Sequence, residues 1–350
     1  MPIGPVHTYP SAEKLAQVLD SMLADEPEVV LLTDTHVAEA CLPLLIHHSS
    51  SAARAEIIEV EPGEDSKCPE IALHIWSHLI ELKASRKCVL INLGGGVTTD
   101  LGGFIAATYK RGIRHIHIPT SLMGMADAAI GGKTGIDLNH VKNAVGTFSR
   151  PEAVLISPEW LSTLPENEWR SGFAEMLKHA LIGDSALWND LLEVTVGDTI
   201  TADLLERSVL IKKDICISDP RETGPRKLLN FGHTFGHAVE SVMLSRNTPR
   251  SHGSCVITGM IGECILSQKM ELLAENECRA VMDHLAMRYP EAIADLPAFE
   301  ELEPFLWQDK KNTSHTRLNF TLLKSTGNAL WDQFVAREQA ASAWNALLTW

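Results

Sequence analysis

The sequence predicts an α/β first half built on a parallel sheet, followed by a mostly α-helical second half. Three observations carry this. Short continuous apolar runs at Glu28–Asp34, Ala55–Val60 and Cys88–Leu93 read as strands buried on both faces. The last of them runs straight into Gly94-Gly95-Gly96, which opens a helical stretch through Ala107. Beyond Ser157-Pro158 the periodicity turns helical and strand signals become few. The expected division is residues 1–157 and 158–350.

Taken in order, the strand at Glu28–Asp34 leads into helical periodicity from Leu42 to His47, and Ala55–Val60 forms the next strand. After the turn Pro62–Lys67 a helix fits Ile71 to Leu82, and Cys88–Leu93 is the clearest strand. His115–Ser121 is another strand, stopped by Pro119, and Pro151–Ile156 reads as the last one. The junction of strand, glycine turn and helix start is where an α/β sheet holds a phosphate, so it predicts a Rossmann-like NAD-binding domain. The motif is not GxGxxG, and a tight turn without a ligand stands as the competing account. Asp100 at the helix start reads as a cap or as a residue on the nicotinamide side. Lys133 after two glycines and the Lys142-Asn143 pair read as phosphate or carboxylate contacts, or as solvated side chains.

In the second half, helical periodicity covers Leu161–Leu164, Trp169–Ile182, Leu187–Val194, Leu204–Ile217, His233–Met243 and Val256–Leu273. His233 and His237 stand one helical turn apart on one face, with His252 beyond them. Glu175 and Lys178 share a face of an upstream helix. Paired histidines, a remote histidine and a carboxylate are the ingredients of an open Zn²⁺-type site, and the spacing makes His237 a ligand candidate too. Two surface or half-buried histidines are the alternative. The charged turn Asp219–Lys227 abuts the histidine helix, which favours a place beside a cleft over a plain solvated face.

The chain has 350 residues, enough for about two domains with filled cores. A formal net charge of −15 argues against nucleic acid or an anionic membrane as partner. No apolar run reaches about 18 residues, and the start lacks a basic-then-apolar leader, so neither insertion nor export is expected. The seven cysteines are scattered, show no CxxC and read as reduced thiols of a cytoplasmic enzyme. Together, an NAD-type domain, a metal-bearing helical domain and several cations suggest redox chemistry on an anionic, hydroxylated small molecule.

At this point the residues add up to a resemblance. PGEDSK at Pro62–Lys67, GGGVTTDLGGF at Gly94–Phe104, Arg111-Gly112, PTSLMGMADAAIGGKT at Pro119–Thr134, KNAVGTF at Lys142–Phe148, GFAEMLK at Gly172–Lys178, Asp219–Arg226, Leu228–His237, His252-Gly253 and DKKN at Asp309–Asn312 stand in order. So arranged, the chain resembles the 3-dehydroquinate synthases, sugar phosphate cyclases of the shikimate pathway, almost end to end. The resemblance implies a divalent metal, Zn²⁺ or Co²⁺, held by Glu175, His233 and His252, with His237 moved from ligand to acid/base or hydrogen-bonding residue. It implies NAD⁺ along Asp34-Thr35-His36, Glu64–Lys67, Gly95-Gly96-Val97, Asp100, Thr120-Ser121, Lys142 and the Trp160–Thr163 turn. Substrate contacts would be Arg111, Asp127, Lys133, Asn143, Lys178, Lys212, Arg226, Asn230, His237, Lys310 and Lys311, and Glu222 would be a proton acceptor. The implied reaction converts 3-deoxy-D-arabino-heptulosonate 7-phosphate (DAHP) to 3-dehydroquinate and phosphate through transient oxidation by NAD⁺, in a homodimer. Ser254, where many members carry Glu, and Ala128-Ala129, where serines are usual, depart from the pattern. Related cyclases alter the positions of Arg226, Leu229, Asn230 and His237, which here keep the form suited to a carboxylate-bearing substrate. A metal-dependent polyol dehydrogenase and a catalytically dead scaffold are the rival readings.

Overall fold

The computed structural model describes residues 3–26, 28–139, 141–308 and 316–350; Lys310 and Lys311 lie outside them. The chain divides into two compact units, Met1–Trp169 with Gly197–Pro220, and Arg170–Val196 with Arg221–Trp350.

The first unit is a six-stranded parallel sheet. Its strands are β1 (Val6–Thr8), β2 (Val29–Asp34), β3 (Glu56–Val60), β4 (Val89–Gly94), β5 (Arg114–Pro119) and β8 (Ala153–Ile156), in the order β1-β8-β5-β4-β2-β3. Every residue of β4 and β8 is buried, which is why these strands read as unbroken apolar runs rather than alternating ones. On one side, helices Pro69–Glu81 and Gly96–Thr108 seat Ile75, Leu79, Leu101, Phe104 and Ile105 against Leu32, Ile58 and Leu90. Helix Ala202–Ser218, capped by Thr201 Oγ, also belongs to this unit. Between β5 and β8, Gly124–Ala128 is a π turn, and β6 (Lys133–Leu138) pairs antiparallel with β7 (Val141–Phe148).

Among the described residues, the second unit is helical with one hairpin. Helix His252–Lys269 is buried from Gly253 through Ser267, as a helix apolar on all sides must be. Helices His233–Ser245, Glu275–Arg288 and Arg337–Leu348 pack on it, with Phe235 between Phe320 and Trp344 at ring separations of 5.0 and 5.1 Å. Ala153–Ile156 is not the last strand: β9 (Arg317–Ser325) and β10 (Asn328–Ala336) follow as an antiparallel pair. Leu318 through Leu323 are all buried, and β9 packs on the central helix.

The sheet interior carries a pH liability. Burial holds the His115 imidazole down to about 4 and His117 well below its ordinary range. Both are neutral in the folded chain, whereas the unfolded chain protonates near 6.5. Stability is therefore complete above that pH and declines as pH falls toward 4, by up to about 1.4 kcal/mol per pH unit for each histidine. Urea midpoints measured between pH 7.5 and 5 are expected to fall less steeply for His115→Phe than for the unaltered chain; equal slopes count against the account.

Candidate active site

In the first unit, β3 extends the sheet on one side of β2 and β4 on the other, so the carboxyl ends of β2 and β4 flank a topological switch point. Asp34 ends β2 and caps the next helix, accepting the Val37 N–H at 3.0 Å. Its second oxygen lies 3.5 Å from the Thr98 hydroxyl, just past the triple-glycine turn. Gly95 is the N-cap of Gly96–Thr108 and brings no side-chain cap to that helix start. A Cβ at Gly95 would stand 3.2 Å from Ser121 Oγ, and one at Gly96 would stand 3.1 Å from Ala128 Cβ. The turn is therefore a backbone cradle at a positive helix end, shaped for a pyrophosphate. Val97 is half-buried beside this turn. Thr120 donates its N–H to Gly94 at 2.9 Å, which brings the end of β5 and Ser121 to the same crevice.

One turn into the helix, Asp100 meets the buried Lys67 ammonium at 2.8 Å, and Glu64 lies 3.5 Å from it. Burial pushes the Asp100 carboxyl up to about 6 against the pull of Lys67. Burial also works against the Lys67 charge, but the Asp100 and Glu64 carboxylates outweigh it and keep it protonated. Thr163 sits on the Pro158–Thr163 turn with its hydroxyl 3.7 Å from Cys41 Sγ. Elsewhere in the unit Lys212 pairs with Asp127 at 2.6 Å. Lys133 opens β6 and Lys142 and Asn143 lie on β7, all exposed; Asn143 has a left-handed φ of 51° and donates its N–H to Asp137 at 2.7 Å. Arg111 is exposed at the end of the turn before β5.

The second unit holds the histidines. Glu175 and Lys178, both buried on helix Glu166–Gly183, form an ion pair through Glu175 Oε2. The other oxygen, Oε1, is 3.5 Å from His233 Nε2 and 3.5 Å from His252 Nε2. Two atoms bound to one Zn²⁺ at 2.0–2.1 Å in a tetrahedron lie about 3.4 Å apart, so this donor set fits a divalent cation. Donor atoms of Glu175, His233 and His252 all lie within 4.8 Å of one another. Both candidate ligand rings are aimed from behind. His233 Nδ1 bonds the Phe231 carbonyl at 3.1 Å, and His252 Nδ1 faces Glu240 Oε2 at 3.4 Å, the carboxylate–histidine arrangement of metal sites. Burial, reinforced by the Lys178 ammonium, holds His233 well below its ordinary pKa and thus neutral, as a ligand must be. His252 is pushed up to about 10, since the carboxylates of Glu175 and Glu240 outweigh its burial. A cation could take that proton's place between the same groups.

His237 is exposed, with its ring 5.1 Å from that of His233. It falls outside the Glu175 cluster and instead shares a second donor group with Glu240 and His252. Asn230 donates to Glu222 at 2.9 Å, joining two residues of the segment before the histidine helix, and Arg226 beside them is buried. Sequence reasoning missed Glu240, although its place one turn after His237 was the available signal.

Residues 57–171 match the family model described as 3-dehydroquinate synthase N-terminal, and residues 172–312 match its C-terminal counterpart. The 3-dehydroquinate synthase of Parabacteroides distasonis is 39% identical over 93% of this chain and 92% of its own length. The chain belongs to the 3-dehydroquinate synthase family. As a member of that family it is an enzyme, and its structure is shared more widely. A 2-epi-5-epi-valiolone synthase from Streptomyces hygroscopicus, solved with NAD⁺ and Zn²⁺, matches with a TM-score of 0.83 at 24% identity, over 99% of this chain and 97% of that one. A 2-deoxy-scyllo-inosose synthase, solved with carbaglucose-6-phosphate, NAD⁺ and Co²⁺, matches at 0.82 and 23%, over 96% and 95%. These likenesses establish the fold: a parallel-sheet α/β part and a largely helical remainder. No described helix is long and apolar enough to cross a membrane.

Proposed function

We propose that this 3-dehydroquinate synthase family member converts DAHP to 3-dehydroquinate and inorganic phosphate, using NAD⁺ and a divalent cation. The observation that carries this is the donor set of Glu175, His233 and His252, with two Nε2–Oε1 separations of 3.5 Å. Residues 1–157 carry the dinucleotide, with Thr163 just beyond them, and residues 158–350 the metal and most of the substrate's anchors. When bound, NAD⁺ supplies a hydride acceptor that is regenerated each turnover, and the cation supplies Lewis acidity toward a substrate hydroxyl; imidazole and carboxylate ligands suit Zn²⁺ and Co²⁺ alike.

The chain's own residues supply binding and proton handling. Asp34, Gly95, Gly96, Val97, Thr120, Ser121, Lys142 and Thr163 hold the dinucleotide, with Glu64, Lys67 and Asp100 as one charged group beside it. Arg111, Asp127, Lys133, Asn143, Lys178, Lys212, Arg226 and Asn230 anchor the substrate, together with Lys310 and Lys311. A phosphate and a carboxylate on one small molecule both need cations in fixed places, which explains so many in an acidic chain. Buried Arg226 suits the carboxylate, for its guanidinium cannot lose its charge. His237, exposed beside the metal group, moves a proton to or from the substrate, and Glu222, held by Asn230, accepts one. The seven free cysteines support a reducing, cytoplasmic setting, and a homodimer completes the reading.

Phosphate release from DAHP is the test. Release is expected to need catalytic rather than stoichiometric NAD⁺ and to stop when a chelator strips the protein. A polyol dehydrogenase would instead build up NADH absorbance with glycerol and leave DAHP intact.

A further inference from the structure

The two ligand histidines open two different helices, and one buried carboxylate ties those helices together. Gly232, the N-cap of helix His233–Ser245, has a left-handed φ of 78° and no side chain with which to cap. Its place is taken by Glu263, a fully buried residue in the middle of helix His252–Lys269. Glu263 Oε2 accepts the Gly232 N–H at 2.6 Å, while Oε1 accepts the N–H of Thr234 at 3.1 Å and of Phe235 at 3.3 Å. A carboxylate here satisfies amides that a helix start leaves open and meets the positive end of its dipole. The reach depends on close backbone approach one turn earlier on the same face. A Cβ at Gly259 would stand 1.8 Å from the Gly232 carbonyl oxygen.

His233 lies between the bonded amides of Gly232 and Thr234, so its backbone torsions are fixed by this cap. His252 is the first residue of the helix that carries Glu263. We propose that Glu263 is a positioning residue for the metal centre: by clamping the start of the His233 helix onto the body of the His252 helix, it sets the separation of the two imidazole ligands. This rests on the metal reading above. Glu263 is not one of the donor group Glu175, His233 and His252; it acts through the backbone on either side of His233.

Co²⁺ serves as the probe, since its visible absorption reports ligand geometry directly. Glu263→Gln keeps the shape but gives the carboxylate up, placing an amide donor among backbone donors. It is expected to weaken Co²⁺ binding by about 10- to 100-fold and to alter the visible bands of the loaded protein. Thr258→Val is the comparator. Thr258 is equally buried on the same helix and donates to Ser254 and Ala292, so its loss costs stability away from the cap. It is expected to leave Co²⁺ affinity within about twofold and the bands unmoved, as an effect confined to stability requires. Should the Gln protein not fold, Glu263→Asp, one methylene short of the amides, is expected to show a smaller loss in the same direction. Unaltered affinity and spectrum in the folded Gln or Asp protein overturn the proposal. Failure of the unaltered protein to bind Co²⁺ overturns the metal reading itself, which keeps the two apart.

Discussion

His233→Ala is expected to lose bound metal and DAHP-dependent phosphate release together, whereas His237→Ala keeps its metal and loses rate. The geometry separates the two residues. His233 Nε2 lies 3.5 Å from the Glu175 oxygen that also faces His252, and its removal leaves two donors of three. His237, one turn along the same helix, stands outside that cluster and is exposed. Loss of a proton-transferring group slows a reaction by about 10²- to 10⁴-fold without touching metal content. Elemental analysis of both purified proteins, beside phosphate release, decides the matter. Equal metal loss in the two variants would refute the assignment of His237 as a non-ligand.

Gly259→Ala is expected to be the most damaging change of a single methyl group. Its Cβ would stand 1.8 Å from the Gly232 carbonyl oxygen and 2.7 Å from the Gly236 amide nitrogen, both backbone atoms that no rotamer change can move. The helices must part, at a cost of about 3 kcal/mol or more. Because His233 and His252 open these two helices, the damage does not stay local. A drop in thermal midpoint of several degrees accompanied by lower metal content is the expected pair of results. A protein with the unaltered midpoint and full metal would show that the two backbones can slide apart freely.

How much of this was legible in the sequence depends on the range of the interaction. Strands β2 and β4 announce themselves because sheet burial demands unbroken apolar runs, and the spacing of Glu175 with Lys178 puts both on one helix face, where they form an ion pair. Hairpin β6–β7 was missed because Val141–Thr147 is almost wholly exposed and carries no periodic pattern. The alternation of Leu318, Phe320 and Leu322 was there to be read, whereas β10 is broken by register shifts that blur any alternation. Within the site, spacing brought His233 and His237 to one face but could not tell ligand from neighbour. That distinction lies in which ring meets Glu175, a residue from another helix. The Lys212–Asp127 pair joins positions 85 apart, beyond any local rule. Glu263 did leave a trace, a lone charge inside the apolar run Val256–Leu266, of the sort a buried helix tolerates only when the charge has work.

The first unit is discontinuous in the chain, and this bears on its birth. Its sheet is complete by Ile156, yet helix Ala202–Ser218 and Lys212, the partner of Asp127, arrive only after Arg170–Val196 has been made. At about 5–20 residues per second, translation from Trp169 to Pro220 takes roughly 3–10 s. Through that interval the nascent sheet waits without helix Ala202–Ser218, so a ribosome-bound chain halted once Trp169 has cleared the exit tunnel should be more open to proteolysis than one halted once Pro220 has cleared it.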